Sequence, residues 1–130
     1  MLNQLKTQDQ KSLIRIIMNT IQTLEAITQS ILEMKGIDLV TLNIEKRSVY
    51  ADYMVICHGT STAHVKGISD KIEMTIKKRK VLPLGVEGYN EARWVLMDYN
   101  TVVVHIFLKK TRADYQIEQL YQAVDERNQE

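Results

Sequence analysis

The chain has 130 residues, 45% hydrophobic and 25% charged, with 17 basic against 16 acidic residues and a net charge of +1. One domain of this size buries about two-thirds of its unfolded surface and needs neither disulfides nor metal to fold, and so even a charge balance argues against a protein wrapped in nucleic acid. The single cysteine, Cys57, excludes an internal disulfide and points to a reducing compartment. No apolar run reaches membrane-span length and the polar N-terminus lacks a signal peptide's apolar core, so the expected location is cytoplasmic, with no membrane partner.

Residues 1–9 read as a flexible tail, 10–126 as a single domain and 127–130 as a second tail. From Gln10 to Lys35, Leu13, Ile14, Ile17, Ile21, Leu24, Ile27 and Ile31 form a helical stripe. Gly36 then suits a left-handed stop, with Lys35 in the last turn. Val40, Leu42 and Ile44 alternate with polar residues as in a half-buried strand, and the apolar run Tyr53–Cys57 suits a strand covered on both faces. His58-Gly59-Thr60-Ser61 reads as a turn in which Thr60 or Ser61 caps a helix carrying Val65, Ile68, Ile72 and Ile76. Lys77, Lys78, Arg79 and Lys80 crowd that helix's C-terminus, where the macrodipole favours cations.

Pro83 opens a short strand through Val86, ended by Gly88. Trp94–Tyr99 and Val102–Leu108 follow as a hairpin around Asn100-Thr101. Thr111 and Asp114 resemble a capping pair for a last helix with Ile117, Leu120, Tyr121 and Val124 on its face. The order is α-β-β-α-β-β-β-α: an α/β fold with a mixed five-stranded sheet flanked by helices.

Little in this chain suits catalysis. The turn Gly59-Thr60-Ser61 could hold a phosphate at a helix start, but capping alone explains its residues. It resembles the Gly-Ser turn of nucleotidyltransferases, yet the paired carboxylates that hold magnesium in those enzymes have no counterpart: Glu87 and Asp98 are isolated. His58, His64 and His105 form no metal-ligand spacing, and Cys57 suits core filler better than a nucleophile. No cofactor is expected. The run Lys77–Lys80 lacks interleaved aromatics, and a solvated helix end explains it better than RNA contact.

The two strands after Glu87 carry the only Trp, the only Phe, an Asp and a His. Alternation gives Trp94, Leu96 and Asp98 one face, opposite Val95, Met97 and Tyr99, and gives Val103, His105 and Phe107 one face of the next strand. Aromatic side chains beside a carboxylate and a histidine suit an interface with another protein, because Trp and Tyr supply contact area with few rotatable bonds.

At these residues the chain strongly resembles the ribosomal silencing factor family, also called RsfS or Iojap. The matching pieces are Asp52-Tyr53-Met54-Val55-Ile56, Gly59-Thr60-Ser61 with His64-Val65, Pro83 to Gly88, Trp94 to Tyr99 and Val104 to Phe107, with Arg112, Tyr115, Glu118 and Leu120 in the closing helix. The resemblance covers roughly residues 17–122 and implies a nucleotidyltransferase-like fold without the catalytic carboxylates. It also implies a non-enzymatic function: binding of the large ribosomal subunit through its protein L fourteen, and a steric block to joining of the small subunit when nutrients are short. Relatives in organelles help assemble the large subunit, which gives an alternative role; a nucleotide-binding protein is another. On the silencing reading Trp94 anchors the partner, Asp98, His105 and Glu87 supply polar or charged contacts to a basic ribosomal protein, and Tyr99 and Phe107 either touch the partner or support the sheet. A histidine changes charge near neutrality, so His105 raises a pH effect on binding. A homodimer through the exposed aromatic face and a minor RNA contact at Lys77–Lys80 complete the expectations about partners.

Overall fold

The computed structural model describes residues 2–121, and their side chains from residue 8 onward. The elements are α1 (Leu2–Glu33), β1 (Ile37–Asn43), β2 (Tyr53–Gly59), α2 (Thr62–Lys77), β3 (Gly85–Glu87), β4 (Trp94–Asp98), β5 (Val102–Leu108) and α3 (Lys109–Tyr115), followed by a helical segment over 117–121. This is the expected order. The sheet runs β1-β2-β5-β4-β3; β2 and β5 pair in parallel and the other neighbours antiparallel.

One face of the sheet carries the larger core. Val55, Cys57, Val95, Met97, Val102, Val104 and Ile106 point toward α1 and α2, which answer with Ile27, Ile31, Val65, Ile68, Ile72 and Ile76. The continuous apolar run of β2 is explained by its position beside β5 in the middle of the sheet, with α1 and α2 on one face and a second cluster on the other. That cluster gathers Ile44, Ala51, Met54, Ile56 and Phe107, with Ile117 and Tyr121 packed on it. Residues 117–121 therefore cover the β1–β2 end of this second face.

Several boundaries differ from the sequence reading, each for a local reason. α1 begins at Leu2, not Gln10; residues 2–9 contain neither Gly nor Pro, so nothing in them stops a helix already nucleated downstream. The left-handed residue that ends α1 is Lys35 (φ 59°), not Gly36. Gly36 is needed for close approach instead: its N–H donates to the Ile31 carbonyl at 2.8 Å, and a Cβ there would collide with Ile31 Cγ2. β2 extends through His58 and Gly59, because β5 continues alongside as far as Leu108. β3 starts at Gly85 instead of Pro83, since Pro83 has no N–H to give and the first cross-strand bond is Leu84 N–H to the Asp98 carbonyl. Thr111 and Asp114 do not cap: α3 begins directly off β5, with Leu108 at its N-cap and no side-chain cap bond. Val124 and the 126/127 boundary lie outside the described residues.

Candidate partner-binding face

The register of the sheet assembles the face row by row. Trp94 lies opposite Phe107, which lies beside His58; Glu87 lies opposite Leu96, and Leu96 opposite His105; Gly85 lies opposite Asp98, and Asp98 opposite Val103. Directly paired residues share a face, so Glu87, Trp94, Asp98, His105 and Phe107 all lie on the side away from α1 and α2. The hairpin turn fixes this register. Asn100 takes φ 71°, a backbone that Asn tolerates, its N–H donates to Asp98 Oδ1 at 2.8 Å, and Tyr99 N–H closes the turn on the Val102 carbonyl.

The centre of the face is an aromatic cluster. The Trp94 ring sits 4.9 Å from Phe107, 4.8 Å from Tyr115 and 5.8 Å from His105. Its Nε1–H donates to His105 Nδ1 at 2.9 Å, which leaves the proton of the neutral imidazole on Nε2. Burial pushes the His105 pKa down to about 4. His105 is therefore uncharged across the neutral range, and the pH effect on binding that the sequence suggested has no titrating group behind it here. Its role is to orient the indole.

Of the other expected contact residues, Glu87 is exposed and Trp94 and Asp98 are half-buried. Phe107 is fully buried beneath the cluster, where it supports the sheet. Tyr99 is buried on the opposite face within the larger core, its hydroxyl without a hydrogen-bond partner among the described residues and its pKa pushed up to about 12 by burial. Asp98 divides its work, since one carboxylate oxygen holds the hairpin turn.

Two participants were missed in the sequence. Leu96 shares the Trp94 and Asp98 face, as the alternation already indicated, and is half-buried between Glu87 and His105. Tyr115 comes from α3, and only the tertiary fold brings it to Trp94. Beside Trp94, Gly88, Glu91, Arg93, Thr111, Asp114 and Tyr115 line a cleft of about 370 Å³. Glu91, Asp114 and Arg93 are the charged side chains among them, and Glu87 on β3 and Asp98 on β4 lie on the same face of the sheet. Gly88 builds the turn that leads into β4: it takes φ 79°, and a Cβ would collide with the Trp94 carbonyl oxygen.

The closed end of the face is locked by Arg112. Its guanidinium grips Glu118 with Nε at 3.2 Å and Nη2 at 2.7 Å, while Nη1 donates to the Ile37 carbonyl and to His58 Nδ1 at 2.9 Å. His58 must then accept at Nδ1; burial first, and the Arg112 charge second, hold its pKa below the ordinary histidine value. This clamp ties α3 and residues 117–121 to β1 and β2, leaving the β3–β4 end open.

The turn Gly59-Thr60-Ser61 is occupied by its own helix. Ser61 Oγ accepts from His64 N–H at 3.0 Å, and Thr60 N–H donates to His64 Nδ1 at 3.0 Å, while His64 Nε2 donates to the Met34 carbonyl. Thr60 N–H and His64 N–H, two of the donors at this turn, are therefore already engaged within the chain. Among the described residues no cluster of three His, Cys, Asp or Glu side chains could hold a metal ion. Cys57 is buried, its thiol pushed up to about 12, as expected of core filler. No helix among the described residues is long and apolar enough to cross a membrane.

The family described as "Ribosomal silencing factor during starvation" matches residues 17–130. The chain belongs to the ribosomal silencing factor family. It is 35% identical over 104 residues to a ribosomal silencing factor from Halalkalibacterium halodurans, covering 80% of this chain and 89% of that one. It is 40% identical over 84 residues to the Bacillus subtilis factor, covering 65% and 71%. A crystal structure of a Chromobacterium violaceum protein superposes with a TM-score of 0.76 at 29% identity, over 78% of this chain and 84% of that one. The family is named for silencing and not for an enzymatic activity. Residues 2–16 of α1 precede the segment that the ribosomal silencing factor family matches.

Proposed function

We propose that this ribosomal silencing factor docks on the large ribosomal subunit, through its protein L fourteen, with the open end of the sheet formed by β3, β4 and β5. The docked domain occupies space that the small subunit needs and so represses translation when nutrients are short, in the cytoplasm. The observation that carries this reading is the half-buried Trp94, held by His105, Phe107 and Tyr115, with Glu91 and Asp114 lining the cleft beside it and Glu87 and Asp98 on the same face of the sheet. A rigid aromatic anchor supplies contact energy, and these carboxylates suit a basic ribosomal partner.

The family resemblance supports the identity of the partner, and the geometry supports the choice of face. Trp94 anchors; Leu96 extends the apolar centre; Glu87 and Glu91 supply charge. The test is co-sedimentation with purified large subunits. The wild type is expected to pellet with them, and Glu87→Lys/Glu91→Lys, altered only at exposed positions, to bind more weakly and with less dependence on salt. Undiminished binding by that variant would remove these two carboxylates from the interface. Binding that leaves subunit joining unaffected would replace silencing with a role in large-subunit assembly.

A further inference from the structure

Taken alone, the run Lys77-Lys78-Arg79-Lys80 at the end of α2 is a solvated helix end. The fold gives it neighbours. All four side chains are exposed, and the chain turns tightly through them. Arg79 N–H donates to the Ile76 carbonyl at 2.9 Å, Lys80 N–H donates to the Lys77 carbonyl at 2.8 Å, and Lys80 takes φ 62°. The Arg79 guanidinium reaches across to α1, where Nη1 donates to the Gln22 carbonyl at 3.2 Å.

Gln22 marks the side of α1 that meets this helix end. Arg15 and Lys11 precede it by seven and eleven residues, spacings that keep residues on one side of a helix. Both are exposed. At 1.5 Å per residue, Lys11 lies about 16 Å along the axis from Gln22. Lys11 and Arg15 therefore continue, along α1, the charge that Lys77–Lys80 concentrate at the end of α2. None of these six cations forms an ion pair with a described residue. Between the two helices lies a groove of about 650 Å³, lined by Asn19, Gln22, Thr23, Glu25, Arg79 and Val81. Glu25 is the carboxylate among them; Glu73 stands one turn before Lys77, and Asp9 falls on another side of α1.

We propose that this end of the α1–α2 layer binds the phosphate backbone of RNA. Six of the chain's 17 basic residues gather here although its net charge is only +1, and such a local field attracts a polyanion that the net charge alone would not. Lysine and arginine meet phosphates, and the amide and hydroxyl groups of Asn19, Gln22 and Thr23 suit phosphate and ribose oxygens. No aromatic side chain lines the groove, so the surface follows the backbone and does not stack on bases. An anionic lipid surface would match the charge but leave the groove unfilled. The choice of RNA among polyanions rests on the ribosomal family. The surface itself does not rest on the Trp94 reading, because α1 and α2 lie on the other side of the sheet.

Fluorescence anisotropy of a labelled, protein-free RNA duplex titrated with the full chain tests this. The wild type is expected to bind, its affinity falling about a thousandfold for a tenfold rise in salt, as for four or more phosphate contacts. Lys11→Glu/Arg15→Glu and Lys77→Glu/Lys80→Glu, altered only at exposed positions, should keep the circular dichroism spectrum. Each should bind at least about tenfold more weakly, with a shallower salt dependence. Lys109→Glu/Lys110→Glu makes the same change in net charge beside Gly59, at the opposite end of α2. That variant and Trp94→Ala should bind RNA like the wild type. A wild type that ignores RNA at low salt overturns the proposal, as does one that binds anionic phospholipid vesicles in place of RNA. So does undiminished binding by Lys11→Glu/Arg15→Glu or Lys77→Glu/Lys80→Glu, an equal loss in Lys109→Glu/Lys110→Glu, or a loss in Trp94→Ala.

Discussion

Lowering the pH from about 7.5 to about 5 should destabilise the folded protein by about 2 kcal/mol through His105 alone. The side chain titrates near 6.5 when the chain is unfolded and at about 4 when folded, because burial disfavours its charged form. Above the unfolded value both states are neutral and stability is fully present. As the pH falls through the interval between the two values, the unfolded chain takes a proton that the folded chain refuses, and stability drops. Below the folded value both states are protonated and the loss levels off near about 3 kcal/mol. His58, also held below its ordinary value, adds in the same direction. Urea unfolding followed by Trp94 fluorescence at the two pH values measures the loss. His105→Asn, which keeps an acceptor for the indole N–H but cannot titrate, should show a shallower pH dependence. A midpoint that does not move between the two pH values, or that moves equally in His105→Asn, would refute the reasoning.

Replacing Arg112 with Met leaves Glu118 and the Ile37 carbonyl without their donor and should cost about 3 kcal/mol, read as a lower urea midpoint; an unchanged midpoint would mean that the clamp contributes nothing. Gly88→Ala forces a left-handed backbone and a collision with the Trp94 carbonyl, so it should destabilise by at least about 1 kcal/mol and perturb Trp94 fluorescence. The Cys57 thiol should resist modification by a thiol reagent in the native protein and react after unfolding; rapid native reaction would contradict its burial.

Much of this fold was legible because periodicity survives in the residues that build it. The switch from the helical stripe of α1 to the alternation of β1, and the two strands around Asn100, are local patterns with one physical reading each. Alternation also placed Trp94 with Asp98, and His105 with Phe107. What it could not supply was burial. Phe107 and His105 are covered because residues 117–121 and the Trp94 indole close over them, and both contacts depend on packing between distant parts of the chain. Tyr99 was counted among the contact candidates although alternation already set it opposite Trp94, and it is buried in the core on that face with Val95 and Met97. The start of α3 at Lys109 left no local signal, because the helix follows β5 directly with Leu108 at its N-cap and no side-chain cap bond. The exposure of residues 8–19 was invisible for the reverse reason: the stripe of α1 reads like any core-facing helix, and only the structure shows Leu13 and Ile17 uncovered by the described residues.

On the proposed function the Trp94 face docks on the large subunit and excludes the small one. The most direct measurement is reassociation of purified large and small subunits on a sucrose gradient, with the wild type or Trp94→Ala added to the large subunits first. The wild type should reduce the joined peak, and a folded Trp94→Ala should need at least about thirtyfold more protein for the same effect, as expected for loss of an anchor worth about 2 kcal/mol. Equal inhibition by both proteins would contradict the assignment of the face, and full joining in the presence of saturating bound wild type would contradict the steric mechanism.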